Sequence, residues 1–82
     1  MITWQEAVRI AEDFNSPFMP NFKARKVLDC KTFWSVIDTK QNEFTCELSI
    51  HKKTGELHGG SVPPFEWIEN VEEFDPVVVY EE

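Results

Sequence analysis

The stretch EFTCELSIHKKTGELHGG, Glu43 to Gly60, leaves the chain few ways to fold. Phe44, Cys46, Leu48 and Ile50 occupy one parity; Glu43, Thr45, Glu47, Ser49 and His51 occupy the other. Successive strand side chains point to opposite faces, so the pattern predicts a half-buried strand with a wet outer face. Lys52-Lys53-Thr54-Gly55 supplies turn chemistry, with Gly55 free to take positive φ. Glu56-Leu57-His58 then resumes extended structure. Pairing His51 with Glu56 sets Ile50 opposite Leu57 on the inner face. A slip of one residue would bury Glu56 or His58 instead. The remaining segments are expected to cover the apolar side of this hairpin.

Ahead of the hairpin, Thr3 to Phe14 reads as an amphipathic helix. Thr3 and Glu6 have capping-box spacing, and Trp4, Ala7, Val8, Ala11 and Phe14 form one stripe, with Ile10 at its edge. Pro17 ends the helix by disfavouring helical geometry at Ser16. Phe18 to Phe22 is an apolar loop with two prolines, read as a lid over the core in preference to an exposed anchor. Lys23 to Cys30 is a weakly patterned strand whose cations, Lys23, Arg25 and Lys26, suit a solvated or edge-protecting end. Asp29-Cys30-Lys31 can hold a turn. Thr32 to Thr39 is a central strand apolar on both parities, Trp34 and Val36 on one face, Phe33 and Ile37 on the other. Lys40-Gln41-Asn42 turns into the hairpin. After Gly59-Gly60-Ser61, Pro64 opens a short helix over Phe65 to Phe74. Its expected inner stripe is Phe65, Ile68 and Val71. Val77 to Tyr80 has strong β propensity and can add an edge strand, guarded by Glu81 and Glu82.

Together these elements predict one small α+β domain over residues 1–82. An N-terminal helix packs on an antiparallel meander of three to four strands, followed by a short helix and an optional edge strand. At 82 residues the core is modest, and seven Phe and three Trp suit that size because each buries a large area.

The net charge is −7, and the asymmetry matters more than the total. Residues 54–82 carry Glu56, Glu66, Glu69, Glu72, Glu73, Asp75, Glu81 and Glu82 and no Lys or Arg. Direct nucleic-acid binding needs a basic face and is not expected. The acids read either as a surface for a basic partner or as a solubilising face. No stretch approaches the ~18–20 apolar residues that span a bilayer, and no leader pattern precedes Cys30 and Cys46. A cytoplasmic setting with free thiols follows, a disulfide between the two being the minor alternative.

No residue pattern demands catalysis. Ser35, Ser49 and Ser61 lack the context of an activated nucleophile. Cys30, Cys46, His51 and His58 lack metal-ligand spacing, although His51 and His58 share the outer face with Glu47 and Glu56. Neither metal nor cofactor is expected. The sharper signal is Trp67 among Glu66, Glu69 and Glu73, either an aromatic anchor ringed by charge or a ring packed on the sheet. The candidate partner-binding set is therefore Glu56, Glu66, Trp67, Glu69, Glu72, Glu73 and Asp75.

Three motifs carry a resemblance. They are Met1-Ile2-Thr3-Trp4-Gln5-Glu6-Ala7, the turn Ile50-His51-Lys52-Lys53-Thr54-Gly55-Glu56-Leu57-His58, and Pro64-Phe65-Glu66-Trp67-Ile68. In this order the chain resembles the immunity protein 35 family, also called YrhB-like. The resemblance implies a small α+β domain that neutralises a cognate bacterial toxin by binding it, with no catalytic residues. Other family members resemble stress-related chaperones. The expectation is a non-enzymatic inhibitor, monomeric or weakly dimeric, that meets a basic protein with its acidic last third. The alternatives are a phage or host inhibitor that mimics nucleic-acid charge, and a chaperone-like protein using Phe18 to Phe22.

Overall fold

The computed structural model describes residues 1–17, 21–39, 46–59, 63–68 and 75–82, with Cys46 described by its backbone alone. The expectations for Phe18 to Pro20, for the 40–45 segment, and for 69–74 with Glu69, Glu72 and Glu73 lie outside these residues.

Helix α1 (Trp4–Asn15) begins where the capping pattern places it, with the Glu6 N–H donating to Thr3 Oγ1 at 3.2 Å. Ala7 and Ala11 are fully buried, and the next position on that face is Asn15, buried with its amide nitrogen unpaired. Phe14, expected on the inner stripe, is half-exposed instead. Buried positions at i, i+4 and i+8 turn Phe14 toward the flank of the helix. Small alanines let α1 approach the sheet closely, while Trp4, Val8 and Ile10 pack around the contact.

Five strands follow: β1 (Lys26–Asp29), β2 (Phe33–Asp38), β3 (Cys46–His51), β4 (Leu57–Gly59) and β5 (Val77–Glu81). The short helix α2 (Phe65–Ile68) lies between β4 and β5 in the chain. The sheet order is β4-β3-β2-β1-β5, and every neighbouring pair is antiparallel. The α+β antiparallel architecture is thus the expected one, and the optional edge strand is a full fifth member. It pairs with β1, so β1 is not an edge.

The hairpin has the register that parity dictates. Ile50 faces Leu57, Ser49 faces His58, and the His51 N–H donates to the Glu56 carbonyl at 2.9 Å. Gly55 closes the turn with φ +72. A Cβ there would meet only Ile10 Cδ1 at 3.9 Å, an ordinary contact. Gly55→Ala is therefore expected to cost only the backbone penalty, about 1 kcal/mol. Gly55→Asn should cost less, because asparagine tolerates left-handed geometry; urea unfolding midpoints check both.

Two faces of the sheet are covered. On one, α1 packs on Val27, Val36, Leu48 and Ile50, joined by Phe22 and Ala24, and Trp4 stacks on Tyr80 of β5 at 5.3 Å. Phe22 thus belongs to the core. The other face holds Phe33, Cys30 and Trp67. The outer face of β3 is accordingly not wet along its length. Ser49 and Ser35 are buried, and Glu47 folds over to accept from Ser35 Oγ at 2.6 Å. Among the described residues no helix is long and apolar enough to cross a membrane.

Candidate functional site

The described part of helix α2 is Phe65–Ile68, with the Trp67 N–H donating to the Pro64 carbonyl at 3.0 Å. Its direction is set by docking rather than by periodicity. The Trp67 ring meets Phe33 (centroids 5.7 Å apart), the His51 ring (5.1 Å, edge-on) and the His58 ring (6.3 Å, edge-on). The Thr32 hydroxyl also donates to the Trp67 carbonyl. Trp67 is 7% exposed, so it packs on the sheet and is not the exposed anchor of the charged-ring alternative. Phe65, expected inside, is 71% exposed and stands beside exposed Glu66. Ile68 also packs against this cluster, but the indole buries the larger area and takes the inner position that Phe65 was expected to hold.

The remaining candidate acids gather at one end of the sheet. Glu56 lies at the exit of the β3–β4 turn, opposite His51 and thus on the α2 side. Glu66 is on α2, anchored there through Thr32 and His51. Asp75 precedes β5, whose Val77 pairs with Asp29 next to the β1–β2 turn, at the opposite edge from β4. All three are exposed, and none has an ion pair among the described residues. Exposed Lys31 and Lys53 sit in the two turns at the same end. The β1–β2 turn is shaped by Lys31 at φ 66 and by the Lys31 N–H donating to Asp29 Oδ1 at 3.0 Å.

The last two acids of the chain belong to the other end and are not free. Glu82 accepts from Arg25 Nη1 at 2.6 Å and Lys23 Nζ at 3.2 Å, and Glu81 pairs with Lys26 at 3.5 Å. The Arg25 bond foremost, then that of Lys23, hold the Glu82 carboxyl below the usual carboxylate range. Asp38, fully buried, accepts from Arg25 Nε at 3.1 Å and from the Lys23 N–H at 3.0 Å. Lys23 stays solvated, as expected of a strand end, but with Arg25 and Lys26 it also pairs with Glu81 and Glu82 and so ties β5 to this segment. The acidic last third is correspondingly not one surface, since Glu81 and Glu82 are neutralised by residues of the first half.

Lys52, which reads as a turn residue, is buried. Its Nζ lies 2.6 Å from Asp29 Oδ1 and 4.3 Å above the Trp34 ring, a paired cation over an aromatic face. Burial pushes the Asp29 carboxyl up, but the Lys52 bond and the Lys31 N–H outweigh it and hold the group below its ordinary 3.8. A depressed carboxylate contributes stability above its unfolded pKa and loses it as pH falls through the folded one. The Asp29 contribution is thus complete near neutrality and fades below 3.8. Lys52→Met keeps the stem and removes the charge. It should cost about 1–2 kcal/mol, a buried-pair loss reduced because Asp29 is partly hydrated. It should also bring the Asp29 titration, followed by carboxyl-carbon NMR, back up toward its ordinary value.

Cys30 is a free, buried thiol that desolvation, then the charges of Glu47 and Asp29, push up to about 11. It is held protonated at neutral pH, the state of a core side chain rather than of a nucleophile. Among the described residues no group of three or more His, Cys, Asp or Glu is placed to hold a metal ion. No family model matches the chain, and neither a curated protein nor a solved structure matches it.

Proposed function

We propose that this chain is a non-enzymatic, immunity-type inhibitor that docks on a basic protein through the end of the sheet carrying Glu56, Glu66 and Asp75. One observation supports the reading above others. These three carboxylates are exposed and unpaired among the described residues, while the cations of 23–26 are held by the tail acids at the far end. Exposed carboxylates steer a cationic partner, and their placement around Lys31 and Lys53 at the same end fixes its orientation. Phe65, exposed beside Glu66, supplies the apolar contact that an acidic rim alone lacks. The partner class is a cationic protein such as a toxin whose active surface is basic.

The test is a pull-down from bacterial lysate with wild type and a variant carrying Glu56→Lys, Glu66→Lys and Asp75→Lys. Wild type should recover a basic protein, the variant at least tenfold less, with recovery falling as ionic strength rises. Equal recovery of the same protein by both forms rejects the charge-led site.

A further inference from the structure

Strand β5 presents an outer edge that pairs with nothing among the described residues. A free edge is a template for another strand, and proteins usually blunt it with shortness, lysines, proline or a bulge. The opposite edge, β4, is three residues long. β5 runs for five, with no Lys or Pro between Val77 and Glu81. Val77 is 62% and Val78 47% exposed. Successive residues face opposite sides of a strand, so apolar surface borders the edge above and below. β5 does carry one such device, a bulge at Val79, which has no partner on β1; it bends the edge but leaves Val77-Val78 and Tyr80-Glu81 on either side of it. Glu81 and Glu82 guard the edge incompletely, because their carboxylates reach inward to Lys26, Lys23 and Arg25. The Glu82 N–H donates to the Arg25 carbonyl at 2.8 Å, so in an extended strand the Glu81 N–H points away from β1.

We propose that the outer edge of β5 takes up, as a sixth strand, an extended segment of the partner that is apolar in its middle and carries Lys or Arg at its ends. This rests on the reading of a basic partner and names how that partner engages. Charge selects the occupant. Asp75 is exposed just before the strand, and the Glu81 side chain at its end is still 61% exposed despite Lys26. A cationic residue at each end of the added strand meets these acids. A second copy does not: antiparallel self-pairing centred on Val79 sets Val77 against Glu81 of the copy and brings Asp75 beside its Glu82. Two chains of net charge −7 would then meet acid to acid.

The experiment titrates the full ¹⁵N-labelled chain with the peptide acetyl-Lys-Val-Thr-Val-Thr-Val-Lys-amide. One control has Glu at both ends, and another has alternate backbone nitrogens methylated. The lysine-ended peptide should slow hydrogen exchange at the Glu81 amide, bind at least tenfold more tightly than the glutamate-ended one, and lose the protection when methylated. Equal binding of the glutamate-ended or methylated peptide overturns the proposal, as does absence of protection with every peptide. A dimer in sedimentation of the chain alone, with Glu81 already protected, overturns it in favour of a second copy. Peptide failure alongside a charge-dependent pull-down removes only the β5 route. Peptide success alongside a charge-independent pull-down removes the acidic-end reading and leaves the edge.

Discussion

Trp67→Ala is expected to destabilise the protein by about 3–4 kcal/mol, within the usual range for deleting a buried tryptophan. Among the described residues the second face of the sheet rests on few large side chains, Phe33 and Trp67 with Cys30, and Leu28 and Ile68 at the margin. Removing the indole strips Phe33, His51 and His58 of their common partner. The collapse that usually softens such a loss is limited, because the Thr32 hydroxyl still holds the α2 backbone through the Trp67 carbonyl. For a domain of this size the melting temperature should fall by roughly 12–32 °C. Urea unfolding should show a lower midpoint at nearly constant slope, the mark of lost packing without a change in the surface exposed. Trp67→Phe should recover about half of the loss, since it fills part of the site. A change below about 0.5 kcal/mol for Trp67→Ala, the size typical of surface substitutions, would return the ring to the surface and restore it as an anchor. The distinction bears on function. A tryptophan that holds the fold cannot be read from a binding assay unless stability is measured beside it, whereas Phe65→Ala should leave the melting temperature nearly unchanged.

What could be read from the chain alone divides by the range of the forces involved. The pairing of Ile50 with Leu57 was legible because parity and turn length are local, and a wrong register would bury a charge at once. The strand at Val77 was legible for a similar reason, but its place beside β1 was not. That choice depends on which edge the returning chain reaches, and it is secured by Lys26–Glu81 and Arg25–Glu82, pairs more than fifty residues apart. The covered second face shows a different limit. Alternation states which residues share a side, and Glu47, Ser49 and His51 do share one, yet it does not say whether another element lies on that side. In α2 a three-residue spacing pointed to Phe65, Ile68 and Val71; Ile68 does pack on the inner cluster, Val71 lies outside the described residues, and docking on Phe33 and His51 chose Trp67 over Phe65. Of the candidate site, Glu56, Glu66 and Asp75 stand exposed at one end of the sheet, which their spacing in the chain could not indicate. Lys52 and Asp38 went unread as structural charges because a sequence names charges without giving the distances between them.

Asp38 carries the other large expected effect. Its carboxylate has no solvent exposure and lies at the end of β2, opposite Cys46. Leaving a carboxylate dry is costly unless hydrogen bonds and a cation replace the lost water. Here Arg25 Nε supplies the cation and the Lys23 N–H a second donor. Asp38→Ala removes the acceptor for both and should cost about 3–5 kcal/mol, the range for breaking one side of a buried pair. Asp38→Asn keeps the shape but turns an amide N–H₂ toward one of the two donors. It should cost about 2 kcal/mol, as expected when one buried partner is left unmade. The loss should travel to the far side of β1. Arg25 is held between Asp38 and Glu82, so without Asp38 the guanidinium is free to swing toward solvent, and the grip on Glu82 loosens. Hydrogen exchange at the Glu82 amide, which donates to the Arg25 carbonyl, should then quicken more than exchange in the β2–β3 pair. Glu82→Gln tests the same clamp from outside. Its effect should be smaller and should vanish at high salt, because Glu82 faces water and Asp38 does not. Combining Arg25→Met with Asp38→Ala should cost less than the two replacements added separately, since each alone strands the other's partner. Strict additivity, or an Asp38→Ala variant as stable as wild type, would mean that β5 is held on β1 by its backbone and by Tyr80 on Trp4, with the ionic cluster contributing nothing.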